Sequence, residues 1–133
     1  MENNYVDILT QLEPGQRHRN DHIMIVDGLN TLIRAFSTVN TINPAGHHVG
    51  GITGFLKSVG FIMRKFDPTR IIIAWDGRGG SQNRKIMNPN YKAQREHAAV
   101  IHWDMFDSKA EENQAIWDQA DRLVDYLECL PVT

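Results

Sequence analysis

The sequence predicts an α/β fold built on a parallel β-sheet with flanking helices. Three observations carry this reading. Two short runs rich in β-branched residues, 23–26 and 71–75, are each followed by Asp-Gly, at Asp27-Gly28 and Asp76-Gly77. Between them, residues 51–66 place apolar side chains with helical period. Strand, helix and strand joined by short connections form a βαβ unit, which makes the two strands parallel with a right-handed crossover.

Each element follows from local signals. Residues 1–21 read as an N-terminal arm. Tyr5, Val6, Ile8, Leu9 and Leu12 can form a short amphipathic turn that Pro14-Gly15 stops, and a polar stretch follows. Ile23, Met24, Ile25 and Val26 form a continuous apolar run and are expected as a buried strand. Residues 30–37 suit a short helix. Residues 38–50, with Asn, Pro, Gly and two His, suit a loop. In 51–66 the stripe is Ile52, Phe55, Leu56, Val59, Ile62, Met63 and Phe66, with Lys57, Arg64 and Lys65 off it. Asp67-Pro68 ends this helix, because a residue before proline disfavours the αR conformation. Residues 71–75 are a second buried strand, and 77–89 a loop. Residues 90–102 fit a mostly polar helix. Ser108 and Glu111 match a capping box opening a helix that carries Ile116, Ala120, Leu123, Val124 and Leu127 on one face, with Pro131 marking its end.

Composition narrows the class. The chain has 133 residues, 41% of them hydrophobic and 23% charged, values ordinary for a folded globular domain and contrary to wholesale disorder. No apolar run is long enough for a membrane-spanning helix, and no N-terminal stretch has the order of a signal peptide. The one cysteine, Cys129, excludes an internal disulfide and a cysteine-built zinc site, so a reducing, intracellular setting is expected. Net charge is only −2, but it is unevenly spread: −2 over residues 1–56, +7 over 57–95 and −7 over 96–133. Such asymmetry suits either a polyanion site on one part of the surface or two solvated faces that cancel.

Two constellations can carry chemistry. Ligands of parallel sheets sit beyond the carboxyl ends of the strands, where Asp27 and Asp76 would stand near each other. Neighbouring carboxylates repel unless a proton or cation lies between them, and hard oxygen donors suit Mg²⁺ or Mn²⁺. Alternatively, each Asp simply caps the turn made with its following Gly. The second constellation is residues 84–95, where Arg84, Lys85, Lys92 and Arg95 are interleaved with apolar residues and Tyr91. Cations neutralise phosphates and an exposed ring stacks on a base. The alternative is a polar helix with scattered charge and a tyrosine packed inward. The six histidines, 18, 22, 47, 48, 97 and 102, read as surface or loop residues rather than zinc ligands. Trp75, Trp103 and Trp117 are expected in the core or an interface, and Cys129 as a small buried hydrophobe.

Several motifs then fall in a characteristic order: Val26 to Asn30; Arg34-Ala35-Phe36; the 51–56 segment Gly-Ile-Thr-Gly-Phe-Leu; Pro68-Thr69; Ala74 to Gly77; Arg84; and Pro89 to Arg95. Over about residues 22–133 this order resembles the N-terminal half of the 5′-nuclease superfamily. That superfamily comprises flap endonucleases, the 5′-nuclease domain of bacterial DNA polymerase I and the phage 5′–3′ exonucleases, some called RNase H, and its fold is PIN-like. The resemblance implies an N-terminal arm at 1–21 and the N-terminal portion of a PIN-like nuclease domain at 22–133, including the start of the helical arch. It implies Asp27 and Asp76 as the first two metal-ligand carboxylates. Lys92 would reach the scissile phosphate with Arg95 beside it, and Tyr91 would stack on the nucleotide near the cut. Arg84 would stand at the foot of the arch, and Arg34 near the active site. The implied reaction is phosphodiester hydrolysis with two divalent ions, Mg²⁺ or Mn²⁺, on DNA (5′ flap, branched or RNA–DNA substrates). A cytoplasmic location is expected, that of the host if a phage encodes the chain.

The sequence departs from the family's pattern in one respect. Family members carry a later acidic cluster, a further Asp pair and a helix-hairpin-helix, and none has a counterpart here. Two carboxylates are too few to hold two Mg²⁺ ions well, and a two-stranded sheet leaves an unpaired apolar edge. The chain is therefore expected to be incomplete on its own, one half of a split nuclease that docks with a second polypeptide carrying the remaining carboxylates. Two other readings stay open. One is a catalytically inactive DNA-binding or interaction module that keeps the fold. The other is a small PIN-type ribonuclease, which would want more acidic residues in one compact chain.

Overall fold

The computed structural model describes residues 17–76, 87–88 and 100–133. The order is β1 (Ile23–Asp27), α1 (Gly28–Thr38), α2 (Gly50–Phe66), β2 (Arg70–Ala74) and α3 (Lys109–Glu128). This is the expected α/β architecture. β1 and β2 pair in parallel, with Ile23 opposite Arg70 and Asp27 opposite Ala74. The outer side of β2 is met by Thr133, whose N–H donates to Ile71 O at 3.0 Å and whose carbonyl accepts from Ile73 N at 2.7 Å. Bonds flanking Ile72 in this way follow the parallel pattern.

The helices start and stop for identifiable reasons. Asp27 is the N-cap of α1, its Oδ1 accepting from Asn30 N at 3.1 Å. Asp67 ends α2 in the left-handed region at φ 45°, which a short polar side chain tolerates, and Arg17 bonds both its carboxylate and its carbonyl. Ser108 caps α3 by accepting from Glu111 N at 3.2 Å. The reciprocal bond differs from the expected capping box: Glu111 accepts from Asp107 N, one residue before the cap.

The core lies where α1, α2 and α3 meet one face of the sheet. Leu32, Phe36, Phe55 and Leu123 are fully buried, with Val26, Val59, Ile71, Ile116, Ala120 and Leu127 around them. Alternation along the strands sends Val26 and Ile71 inward. The opposite face carries Ile23, Ile25, Ile72 and Ala74, and Ile25 is 68% exposed. This corrects the reading of 23–26 as a strand buried on both faces. A continuous apolar run promises two covers, and the described residues provide one.

Three further expectations change. His48 and His102 are buried rather than superficial, packed with Phe36 at ring separations of 4.5 and 5.0 Å and with each other at 4.6 Å. Cys129 is exposed, because it is the C-cap of α3 and lies off the stripe that Leu123 and Leu127 turn to the core. Trp103 is 80% exposed, whereas Trp75 is half-buried with its ring edge-on to Phe55 at 6.2 Å.

The buried polar groups form one connected knot. Glu112, with no exposed surface, accepts from the backbone N–H groups of Ile101 (3.0 Å) and His102 (2.8 Å) and from Lys109 Nζ (2.9 Å). His102 Nε2 lies 2.6 Å from the Phe36 carbonyl and donates to it. Two first-turn N–H groups of α2, which have no intrahelical partner, are met from outside: Gly50 N by His48 Nδ1 (3.3 Å) and Ile52 N by Gln119 Oε1 (3.2 Å). Gln119 Nε2 returns to the His48 carbonyl at 2.9 Å. Burial, and then the neighbouring His102, holds His48 below its ordinary value of 6.5, against opposing pulls from Glu112 and Asp104. For Glu112, burial raises the pKa, but the hydrogen bonds from His102, Ile101 and Lys109 outweigh it and leave the carboxyl below its ordinary 4.5.

Candidate metal and nucleic-acid site

The parallel register sets the site. Asp27 closes β1 opposite Ala74, and Asp76 lies two residues beyond Ala74, so both carboxylates fall at the carboxyl edge of the sheet. The backbones beside them touch. A methyl placed on Gly28 would come within 2.2 Å of Trp75 Cε3 and 3.0 Å of the Ala74 carbonyl. Glycine at 28 therefore lets the Trp75 ring lie directly on the start of α1. Both aspartates are exposed.

Asp27 also does what the simpler reading expected, since it caps a helix. The two roles are compatible. One carboxylate oxygen is held by Asn30 N–H, which fixes the side chain's rotamer, and a carboxylate has acceptor capacity beyond that single bond. Hard oxygen donors at this edge match Mg²⁺ or Mn²⁺ chemistry. Among the described residues, no group of three or more His, Cys, Asp or Glu side chains assembles as a metal site. The fit is thus to a partial ligand set.

Arg34 is exposed on α1, seven residues from Asp27. Arg84, Tyr91, Lys92 and Arg95 lie outside the described residues. Sequence reasoning passed over a cavity of about 330 Å³ between the 46–49 loop and α3, lined by His47, His48, Phe106, Gln119 and Arg122 among others. Its only advance signal was the position of Gln119 on the apolar stripe of α3, three residues after Ile116 and four before Leu123.

Comparison with known proteins now adds the family. Residues 22–130 match the model of the 5′-3′ exonuclease, N-terminal resolvase-like domain. The chain belongs to this family. It is 32% identical over 93 residues to a 5′-3′ exonuclease of Bacillus subtilis (strain 168), an alignment covering 66% of this chain and 31% of the relative. It is 30% identical over 77 residues to a DNA polymerase I of Borreliella burgdorferi, covering 56% of this chain and 8% of that protein. The chain thus spans a third or less of the curated relatives it matches. No solved structure matches. Among the described residues, no helix is long and apolar enough to cross a membrane.

Proposed function

We propose that this chain is the N-terminal part of a divalent-metal-dependent 5′-3′ exonuclease or flap endonuclease acting on DNA or RNA–DNA. In this reading residues 1–21 are an arm, and 22–133 form the nuclease portion with the start of the arch. The observation that supports it best is the placement of Asp27 and Asp76 at one sheet edge, with Trp75 seated on Gly28 between them.

Asp27 and Asp76 would hold a hard divalent ion, Mg²⁺ or Mn²⁺, which when bound makes water a better nucleophile and offsets charge on the phosphate. The chain's own residues supply the rest. Lys92 and Arg95 place positive charge against the reacting phosphate, where it counts most as charge develops. Tyr91 stacks on the nucleotide beside the cut, and Arg34 and Arg84 hold flanking phosphates. The carboxylates of Asp27 and Asp76 are a partial ligand set for such an ion.

Mn²⁺ titration of the full chain, followed by electron paramagnetic resonance, tests the centre. Weak binding is expected, and Asp27→Asn and Asp76→Asn should each abolish it. Binding that survives both substitutions rules the centre out. Assay of the chain alone on a 5′-flap DNA with Mg²⁺ should show no cleavage. Full activity would show that two carboxylates suffice.

A further inference from the structure

One polar group of the buried knot is left over. His48 is only 6% exposed, and among the side chains of the described residues its Nε2 is the one buried atom with no hydrogen-bond partner. The bonds around the ring fix what that atom can do. Gln119 Oε1 accepts from Ile52 N, so Gln119 Nε2 is the donating end, and it lies 2.9 Å from the His48 carbonyl and 3.3 Å from His48 Nδ1. Gly50 N–H also donates to Nδ1, at 3.3 Å. With two donors aimed at it, Nδ1 offers its lone pair, and the proton of the neutral ring sits on Nε2. A proton added at Nδ1 would face those two donors, so the ring stays neutral. Nε2 is thus a buried N–H donor that no carbonyl or carboxylate of the described residues meets, an arrangement costly enough to be rare in native proteins.

The same residue lines the cavity of about 330 Å³ between the 46–49 loop and α3, a volume in the range of small-molecule sites. Its walls are of two kinds. Ile52, Met105, Phe106 and Ala115 are half-buried and apolar, and suit a flat hydrocarbon body. Glu111, Asp118 and Arg122 are exposed and mark the mouth. Along α3, Glu111, Ala115, Asp118 and Arg122 follow at intervals of four, three and four residues, so one helix face is turned to the cavity. On that face two carboxylates stand beside one guanidinium. Acceptors of N–H groups predominate there, and an anionic ligand would meet net repulsion. A ligand suited to both ends carries an acceptor for the His48 N–H and a donor for the carboxylates. A carbonyl next to an N–H on a flat apolar body combines the two, as in an aromatic carboxamide or a ring lactam.

We propose that this cavity binds a small, uncharged aromatic carboxamide or lactam, with its carbonyl on His48 Nε2–H and its N–H on the carboxylates of Glu111 and Asp118. The site is separate from the Asp27–Asp76 edge and does not depend on the nuclease reading. Benzamide is the probe, titrated into the full chain labelled with ¹⁵N at histidine and followed by the ring N–H resonances. The His48 Nε2–H signal should shift and saturate, with half-saturation at about 1 mM, an affinity that a fragment of this size can reach. His102 Nε2–H, already donated to the Phe36 carbonyl, is the internal reference and should move little. Benzoate keeps the shape but loses the N–H and gains a charge, and should bind about tenfold more weakly. Two variants locate the ligand. Ala115→Leu fills the cavity from α3 and should abolish the shift. Glu111→Gln combined with Asp118→Asn changes two exposed positions and keeps an acceptor for Asp107 N, so folding should be unaffected. It removes both carboxylates and should reverse the preference, favouring benzoate beside Arg122. The proposal fails on any of four results: a His48 signal unmoved at the highest benzamide concentration, a shift that survives Ala115→Leu, benzoate binding the wild type as tightly as benzamide, or an unchanged preference in the double variant. An unmoved His48 signal with a cross-peak to a long-lived water would assign the Nε2 proton to a buried water alone and overturn the proposal in the same way.

Discussion

Where α1, α3 and the 46–49 loop meet, polar groups are buried and bonded: Glu112 takes three hydrogen bonds, Gln119 bridges Ile52 and His48, and His102 reaches the Phe36 carbonyl. At the sheet the arrangement is reversed. The apolar side chains of Ile23 and Ile25 face solvent beside the exposed carboxylates of Asp27 and Asp76. The first region is a finished interior, in which nearly every buried polar side-chain atom has a partner; among the side chains of the described residues His48 Nε2 alone lacks one. The second has the chemistry of an interface, with apolar area uncovered among the described residues. The contrast teaches that the two regions should answer substitution differently. Changes in the knot should be read in stability, and changes at the sheet edge in binding.

The largest effect is expected at Glu112. Glu112→Ala strands the buried N–H groups of Ile101 and His102, which should cost about 3 kcal/mol of unfolding free energy, readable by urea denaturation. The same knot predicts two acid-sensitive steps. His48 is held below 6.5, so as pH falls under that value the unfolded chain takes up the proton first and stability declines. Glu112 is held below 4.5, so its contribution is complete above that value and lost as pH falls through its lower folded value. Urea midpoints measured along a falling pH series should show both steps, and Glu112→Gln should erase the lower one.

An intermediate effect is expected at Asp27, where the two regions' logics overlap. Asp27→Ala removes the cap on Asn30 N and should cost about 1 kcal/mol, whereas Asp27→Asn keeps a good N-cap and should cost only a few tenths. Mn²⁺ binding should disappear in both. Thermal melts that fail to separate the two variants would mean that the cap contributes little.

Much of this division could be read from the chain beforehand, for definite reasons. The helix at 51–66 repeats its apolar positions with clear period, 23–26 and 71–75 are continuous apolar runs, and the Asp-Gly after each of those two runs put Asp27 and Asp76 at one edge once the strands were parallel. The knot was less legible. The burial of His48 depends on Gly50, Phe36 and Gln119, and no local pattern encodes such tertiary partners. Yet Glu112 and Gln119 occupy the same helical stripe as Ile116 and Leu123, so their burial was written in the period and hidden only by their polarity. The exposure of Ile25 could not be read at all. An apolar run reports what a strand is built to touch, and the described residues supply only one of the two layers that 23–26 can contact.

The smallest expected effect on stability is the one that most sharpens the comparison. Ile25 is 68% exposed on the sheet face away from the helices. Ile25→Lys therefore removes almost no buried area and should change unfolding free energy by no more than about 0.5 kcal/mol. The ordinary reading of an isoleucine within an apolar run predicts several times that loss, because a buried lysine would have to shed its hydration. With Ile25 open to solvent, the substitution should spare folding. A large drop in the urea midpoint of the chain alone would instead show that Ile25 is already covered. The contrast between a finished interior and an open face would then dissolve.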